Sequence, residues 1–123
     1  MKPSYSLFKN FGYSFAGITQ AFKTGTNIRI QSAVGVLAIV LGFVFGITPE
    51  QWLAVVICIG LVLGGECFNS ALEAVVDLAS PEYHDLAKAA KDMAAGAVMI
   101  FAAASFVVGC IIFVPYLLSL VGG

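Results

Sequence analysis

Residues 65–92, GECFNSALEAVVDLASPEYHDLAKAAKD, decide how this chain is read. Six of its seven carboxylates lie here: Glu66, Glu73, Asp77, Glu82, Asp85 and Asp92. The single histidine, His84, is here too, with Lys88 and Lys91, and no charged side chain follows Asp92. The remainder is strongly apolar. Of 123 residues, 60% are hydrophobic and 11% charged, against roughly 45–50% and ~25% in soluble domains. A soluble fold of this length cannot hide that much apolar surface, so the chain reads as one all-α integral-membrane domain. A net charge of −1 says nothing about partners by itself, and no nucleic-acid partner is expected.

Within the stretch, Glu66, Asn69, Glu73 and Asp77 are spaced to fall on one face of a helix. The helix carrying them runs back without a break through an apolar segment to Trp52, over a helical segment set at 51–78. At 1.5 Å per residue, Glu66 lies ~24 Å and Asp77 ~40 Å along from Glu50. With a hydrocarbon core of ~30 Å, Glu66 sits just inside the membrane boundary, and Glu73 and Asp77 emerge among the headgroups. A carboxylate in hydrocarbon costs at least ~2.5 kcal/mol, so Glu66 must face protein or a polar cleft. On the far side of the column, Ser80-Pro81-Glu82 has the composition of a helix start: a capping Ser, Pro at the first position and acids in the first turn. That helix is expected over 82–117, containing an apolar span from Met93 to Phe113, with Asp85 and Lys88 a turn apart as a surface ion pair.

Toward the N-terminus, Gly46-Ile47-Thr48-Pro49-Glu50 reads as a tight connection, with Thr48 the N-cap and Pro49 at the first helical position. It is preceded by an apolar span within 29–47, and Thr24 to Asn27 read as a turn. Residues 4–23 are no span. Phe8, Phe11, Phe15, Ile18 and Phe22 form one helical stripe between Lys9 and Lys23, the pattern of an amphipathic helix lying in the headgroup plane. The expected architecture is therefore three transmembrane helices plus an N-terminal surface helix. Basic residues at positions 2, 9, 23 and 29 and in the 79–92 loop, with none at 47–51 or in the tail, put the N-terminus and the polar column in the cytoplasm and the C-terminus outside. No segment has the form of a cleaved signal peptide. Cys58, Cys67 and Cys110 fit no zinc spacing and read as buried thiols. Gly42/Gly46 and Gly60/Gly64 permit close helix approach, and three spans are few to bury a polar column, so a homo-oligomer is expected.

Three activities suit such a column. One is phosphoryl transfer at the interface, with Glu66 as base for a lipid hydroxyl, Glu73 holding a divalent cation and Lys91 pairing with phosphate. Another is a cation or proton relay, although Trp52 to Gly65 has no polar side chain to continue it. A third is a polar seam that only orders an oligomer. No GxxxxGK[ST] loop is present, so a nucleotide would need another cradle.

Glu66-Cys67-Phe68-Asn69-Ser70-Ala71-Leu72-Glu73 followed by Val75-Val76-Asp77 resembles the signature of the small prokaryotic lipid kinases, the diacylglycerol kinases and their undecaprenol kinase relatives. Pro81 to His84, Leu86 to Lys88, Ala90 to Asp92, Gly12 to Ser14, Gly17, Asn27 and Arg29 extend the likeness over nearly the whole chain. The resemblance implies a homotrimer in the bacterial inner membrane, with sites shared between neighbours, that uses ATP and Mg²⁺ to phosphorylate a lipid alcohol. Carried over by position, Glu66 is the catalytic base supported by Asn69, and Glu73 binds the metal. Tyr13, Glu73, Asp77, Glu82, Tyr83, His84, Lys91 and Asp92 meet the nucleotide, and Glu66, Gly17 and Arg29 meet the lipid. One position departs from the pattern: the family's usual second metal-binding Glu is Gly25 here, and an acid or His usual near position 31 is Gln31. The resemblance thus implies an active kinase of weaker metal affinity. The run from Asp77 to His84, with Ala94 to Val98, is more similar to the undecaprenol kinase branch, although no physical feature separates the two lipids.

Overall fold

In the computed structural model, residues 6–122 are described and form four helices: α1 (Leu7–Thr24), α2 (Thr26–Phe45), α3 (Pro49–Ala79) and α4 (Asp85–Gly122). Lys2, used in the orientation argument, and residues 4–5 of the expected surface helix lie outside the described residues. Helices α2, α3 and α4 are long and apolar enough to cross a bilayer. With 31 residues, α3 is ~46 Å long. It therefore overshoots a ~30 Å core by several turns, and those turns carry Glu73 and Asp77 of the polar column.

The α2–α3 connection forms as its composition implies. The Thr48 hydroxyl accepts from the Gln51 N–H at 3.2 Å, and Gln51 Oε1 accepts from the Thr48 N–H at 3.0 Å. This is a reciprocal capping box with Pro at the first position. Gly46, in the left-handed region at φ 60°, ends α2. The Ile47 N–H then reaches back to the Gly42 carbonyl at 3.1 Å while the Ile47 side chain is buried, the usual closure of a helix by glycine. Gly42 has a second role. A Cβ there would lie 2.6 Å from the Trp52 ring, so the glycine makes room for the indole rather than for a neighbouring backbone. Trp52 also stacks obliquely on Phe43, with centroids 4.9 Å apart.

The α3–α4 hairpin dominates the packing. It is pinned at three levels: Tyr116 Oη donates to Gln51 Oε1 at 2.9 Å, Phe101 fills the notch at Gly65, and Lys91 Nζ meets Asp77 Oδ1 at 2.5 Å. The levels advance in step along the two chains, so the helices are antiparallel throughout. Helix α2 also runs antiparallel to α3, with Gly35 against Ile59 and Gly25 against Ser70. The main core cluster, Ile47, Val55, Ile112 and Phe113 with Phe45, Trp52 and Tyr116 around it, lies at the end nearest the Thr48 cap.

Four expectations change. Helix α4 opens at Asp85, not near Pro81, because Ser80 closes α3 instead of capping α4. Its N–H donates to the Val76 carbonyl and its hydroxyl to the Glu82 carbonyl. Helix α4 also continues through Pro115 to Gly122; a missing N–H within a membrane helix is tolerated where local adjustment satisfies the freed carbonyl. The cysteines are free but half-buried, not buried. The expected turn at Thr24 to Asn27 contracts to Gly25 alone, between the end of α1 and the start of α2.

Candidate active site

Two clefts open beside the polar column and meet at Asp77. The first, about 440 Å³, is walled by Glu66, Asn69, Ser70, Glu73 and Asp77 of α3 and by Thr24, Gly25, Thr26 and Asn27 at the α1–α2 elbow. The expected helix face is thus matched by a second wall of hydroxyl and amide groups. Glu66 is the only charged side chain buried among the described residues, at 3% exposure. Its Oε2 has no partner, and neither has the buried Asn69 Oδ1. Asn69 Nδ2 donates to Glu73 Oε1 at 3.3 Å, which orients the amide with its oxygen free. An unpaired buried acceptor costs about 1–3 kcal/mol, and more when charged. Both residues line one cleft, where a ligand could supply the missing donors or a cation.

The chemistry of this donor set fits Mg²⁺, a hard cation that takes oxygen ligands and retains water. Glu73 and the free Asn69 oxygen are the groups that could hold one. No cluster of three His, Cys, Asp or Glu side chains among the described residues could cage a metal. Asp77 and Asp92 are already engaged with Lys91 and Lys88. Position 25 faces the column directly: a Cβ on Gly25 would lie 3.7 Å from Ser70 Oγ, but 3.0 Å from the Ala21 carbonyl oxygen and 3.3 Å from Ile28 Cγ2. The φ of −107° suits any residue. It is space at the elbow, not backbone strain, that a side chain here must find.

The second cleft, about 390 Å³, lies between the end of α3 and the start of α4, lined by Asp77, Glu82, Tyr83, His84, Lys91 and Asp92 among others. It brings together all the residues carried over as nucleotide contacts except Tyr13 and Glu73. Asp85 does not pair with Lys88. It accepts from Tyr83 Oη at 2.7 Å, and Lys88 reaches forward to Asp92 at 2.6 Å. The extended loop delivers the phenol to Asp85 before the helix can use it. That hydrogen bond, then loss of hydration, then the nearby Asp92 charge hold the Tyr83 phenol above its ordinary range. Lys91 crosses to Asp77 between the helices, an exposed ion pair of the kind worth only about 0–1 kcal/mol.

Tyr13 and Gly17 lie on exposed parts of α1 and line neither cleft. Arg29 lines neither as well. Its Nε donates to the Phe22 carbonyl at 2.7 Å and its Nη2 to the Lys23 carbonyl at 2.9 Å, so the guanidinium closes the C-terminal end of α1 and holds the elbow. Sequence reasoning missed this use of Arg29. It missed Thr24, Thr26 and Ser70 as cleft walls too, since hydroxyls carry no periodic signal. It also missed Gln51, although Thr-x-x-Gln before an apolar run is a legible capping box.

The family model for prokaryotic diacylglycerol kinase matches residues 12–113. The undecaprenol kinase of Bacillus subtilis is 37% identical over 111 residues, 90% of each chain. The diacylglycerol kinase of Synechocystis is 42% identical over 118 residues, 94% of this chain and 66% of the relative. That of Escherichia coli K12 is 32% identical over 106 residues, 86% of this chain and 87% of the relative.

Proposed function

The chain belongs to the prokaryotic diacylglycerol kinase family and is a multi-pass membrane lipid kinase, and on that premise we propose that it transfers the γ-phosphoryl group of ATP to undecaprenol. The observation that carries this reading is the buried, unpartnered Glu66 carboxylate facing a polar cleft, at the depth where a lipid hydroxyl presents itself. Glu66 takes the hydroxyl proton as that oxygen attacks the γ-phosphorus. The bond from phosphorus to the β–γ bridging oxygen breaks, and ADP leaves. Positioning and charge stabilisation, not covalent chemistry, are what such a transfer requires of the protein. Asn69 orients Glu73 beside the base. Glu73 would hold Mg²⁺, which when bound would supply charge neutralisation on the phosphates.

Lys91 exchanges Asp77 for phosphate, and Glu82, Tyr83, His84, Asp77 and Asp92 receive the rest of the nucleotide. Tyr13, Gly17 and Arg29 belong to the surface-helix side; Tyr13 and Gly17 reach a neighbouring subunit's site and Arg29 shapes its own. Support for a homotrimer comes from Gly60 and Gly64, where an added Cβ would meet nothing in the single chain, so close approach by another subunit is open there. The charged end of α3 faces the cytoplasm of the inner membrane and the C-terminus faces outward, as the lysine and arginine distribution favours.

The polyprenol is preferred because the undecaprenol kinase relative matches over 90% of each chain and the 77–84 and 94–98 runs resemble that branch. Diacylglycerol is the second reading, favoured by the more identical Synechocystis relative. Labelled-phosphate transfer from ATP to each lipid, in one detergent with Mg²⁺, decides it. Faster labelling of the polyprenol is expected, and equal or reversed rates overturn that choice. No ATP turnover on either lipid would return the relay and structural readings to the front.

A further inference from the structure

We propose that His84 is a positioning residue that builds the wall of the second cleft by capping α4, and that its neutral ring carries the proton on Nε2. The loop from Ser80 to His84 joins the two long helices, and Glu82, Tyr83 and His84 line the cleft. The first N–H groups of α4 have no partner within the helix. Leu86 N–H donates to His84 Nδ1 at 3.0 Å, and Lys88 N–H donates to the His84 carbonyl at 3.0 Å. One residue therefore supplies both the side-chain cap and the first helical acceptor, which are the two functions of an N-cap.

The chemistry of the ring follows. A ring nitrogen that accepts a backbone N–H carries no proton, so the neutral imidazole is protonated at Nε2. His84 can then give the cleft only a hydrogen, and what it meets on a ligand is an acceptor such as a phosphate oxygen or an unprotonated base nitrogen. Two neighbouring bonds hold the loop beside it, Ser80 Oγ to the Glu82 carbonyl and Tyr83 Oη to Asp85. Neither bonds the ring, so the cap sets its orientation. The kinetic part of this inference rests on the second cleft taking the nucleotide; the tautomer does not.

Two substitutions separate cap from ring. His84→Asn retains a side-chain oxygen that caps well but lacks the distal donor. His84→Gln places an amide nitrogen at the reach of Nε2 but caps poorly. With the full chain in lipid nanodiscs, the KM for ATP is expected to rise roughly tenfold in His84→Gln, the scale of one lost cap. In His84→Asn, which loses only the distal donor, the rise should be smaller, about threefold. The reverse order, or no change in either, overturns the positioning role. Because His84 is the only histidine, protein made without a histidine tag and labelled with ¹⁵N-histidine reports one ring by NMR. An unprotonated Nδ1 beside a protonated Nε2 is expected; a neutral ring protonated at Nδ1 overturns the cap. That spectrum stands even if ATP turnover is absent, so failure of the cap and failure of the kinase reading are told apart.

Discussion

The two ends of α3 are built on opposite principles. At the Pro49 end the polar groups are paired: Thr48 and Gln51 satisfy each other, Tyr116 adds a donor to Gln51, and Phe45 stacks on Tyr116 with centroids 5.3 Å apart. Apolar packing closes around them, with Trp52 seated over Gly42. At the Asp77 end, Glu66 and Asn69 hold buried oxygens without partners, and the ion pairs are exposed. The third orphaned atom, Ser32 Oγ, is on α2 and likewise away from the capped end. Stability is concentrated where the helix is capped, and unsatisfied chemistry where it leaves the membrane. A helix that wanted only to be stable would be built like its first half throughout.

The comparison is broken most directly at its charged end. Glu66→Gln keeps shape and loses the base, and should lower phosphoryl transfer by about 10²–10⁴-fold, the usual contribution of a positioned general base. Helical circular dichroism and the unfolding temperature should stay at wild-type values or rise, since a charge without a partner has been removed. Retained activity would assign the base elsewhere. A smaller effect is expected at the elbow. Gly25→Glu should lower the Mg²⁺ concentration for half-maximal turnover severalfold by adding an oxygen ligand opposite Ser70. Gly25→Ala brings the same crowded Cβ without the carboxylate. If Glu improves on Ala in a Mg²⁺ titration, ligation is the cause; if the two behave alike, position 25 acts only through packing. The smallest effect belongs to the capped end. Tyr116→Phe deletes one partly buried hydrogen bond and should cost about 1 kcal/mol of stability, seen as a lower unfolding temperature, with kcat and KM unchanged. A change in turnover there would mean the two ends are coupled along α3.

Much of this contrast was legible in the residues. Thr48-Pro49-Glu50 announced a helix start through local hydrogen bonding that needs no distant partner. The spacing of Glu66, Asn69, Glu73 and Asp77 placed them on one face, because 3.6 residues per turn is a property of the backbone alone. The start of α4 departs from its composition for an instructive reason. Ser80-Pro81-Glu82 has the right composition for an N-terminus, but Ser80 is already used to end α3, and a cap can serve only one helix. The family resemblance implies a ligand contact at His84. That it is also the cap depends on where the loop delivers its ring, which composition does not encode.

What the sequence by itself determined is the membrane class, the three spans and the single polar face, all consequences of hydrophobic periodicity and of the cost of charge in hydrocarbon. What only the tertiary structure decided is which groups meet across the gaps. Gly25 is opposite Ser70, Lys91 crosses to Asp77, Arg29 turns back onto the carbonyls of α1, and Glu66 is left with an unpaired oxygen. Each is a contact, or its absence, between segments whose register is set by side-chain packing at Gly35, Gly42 and Gly65. Helical periodicity fixes which side of a helix a residue occupies, but the partner on that side exists only once the helices have packed.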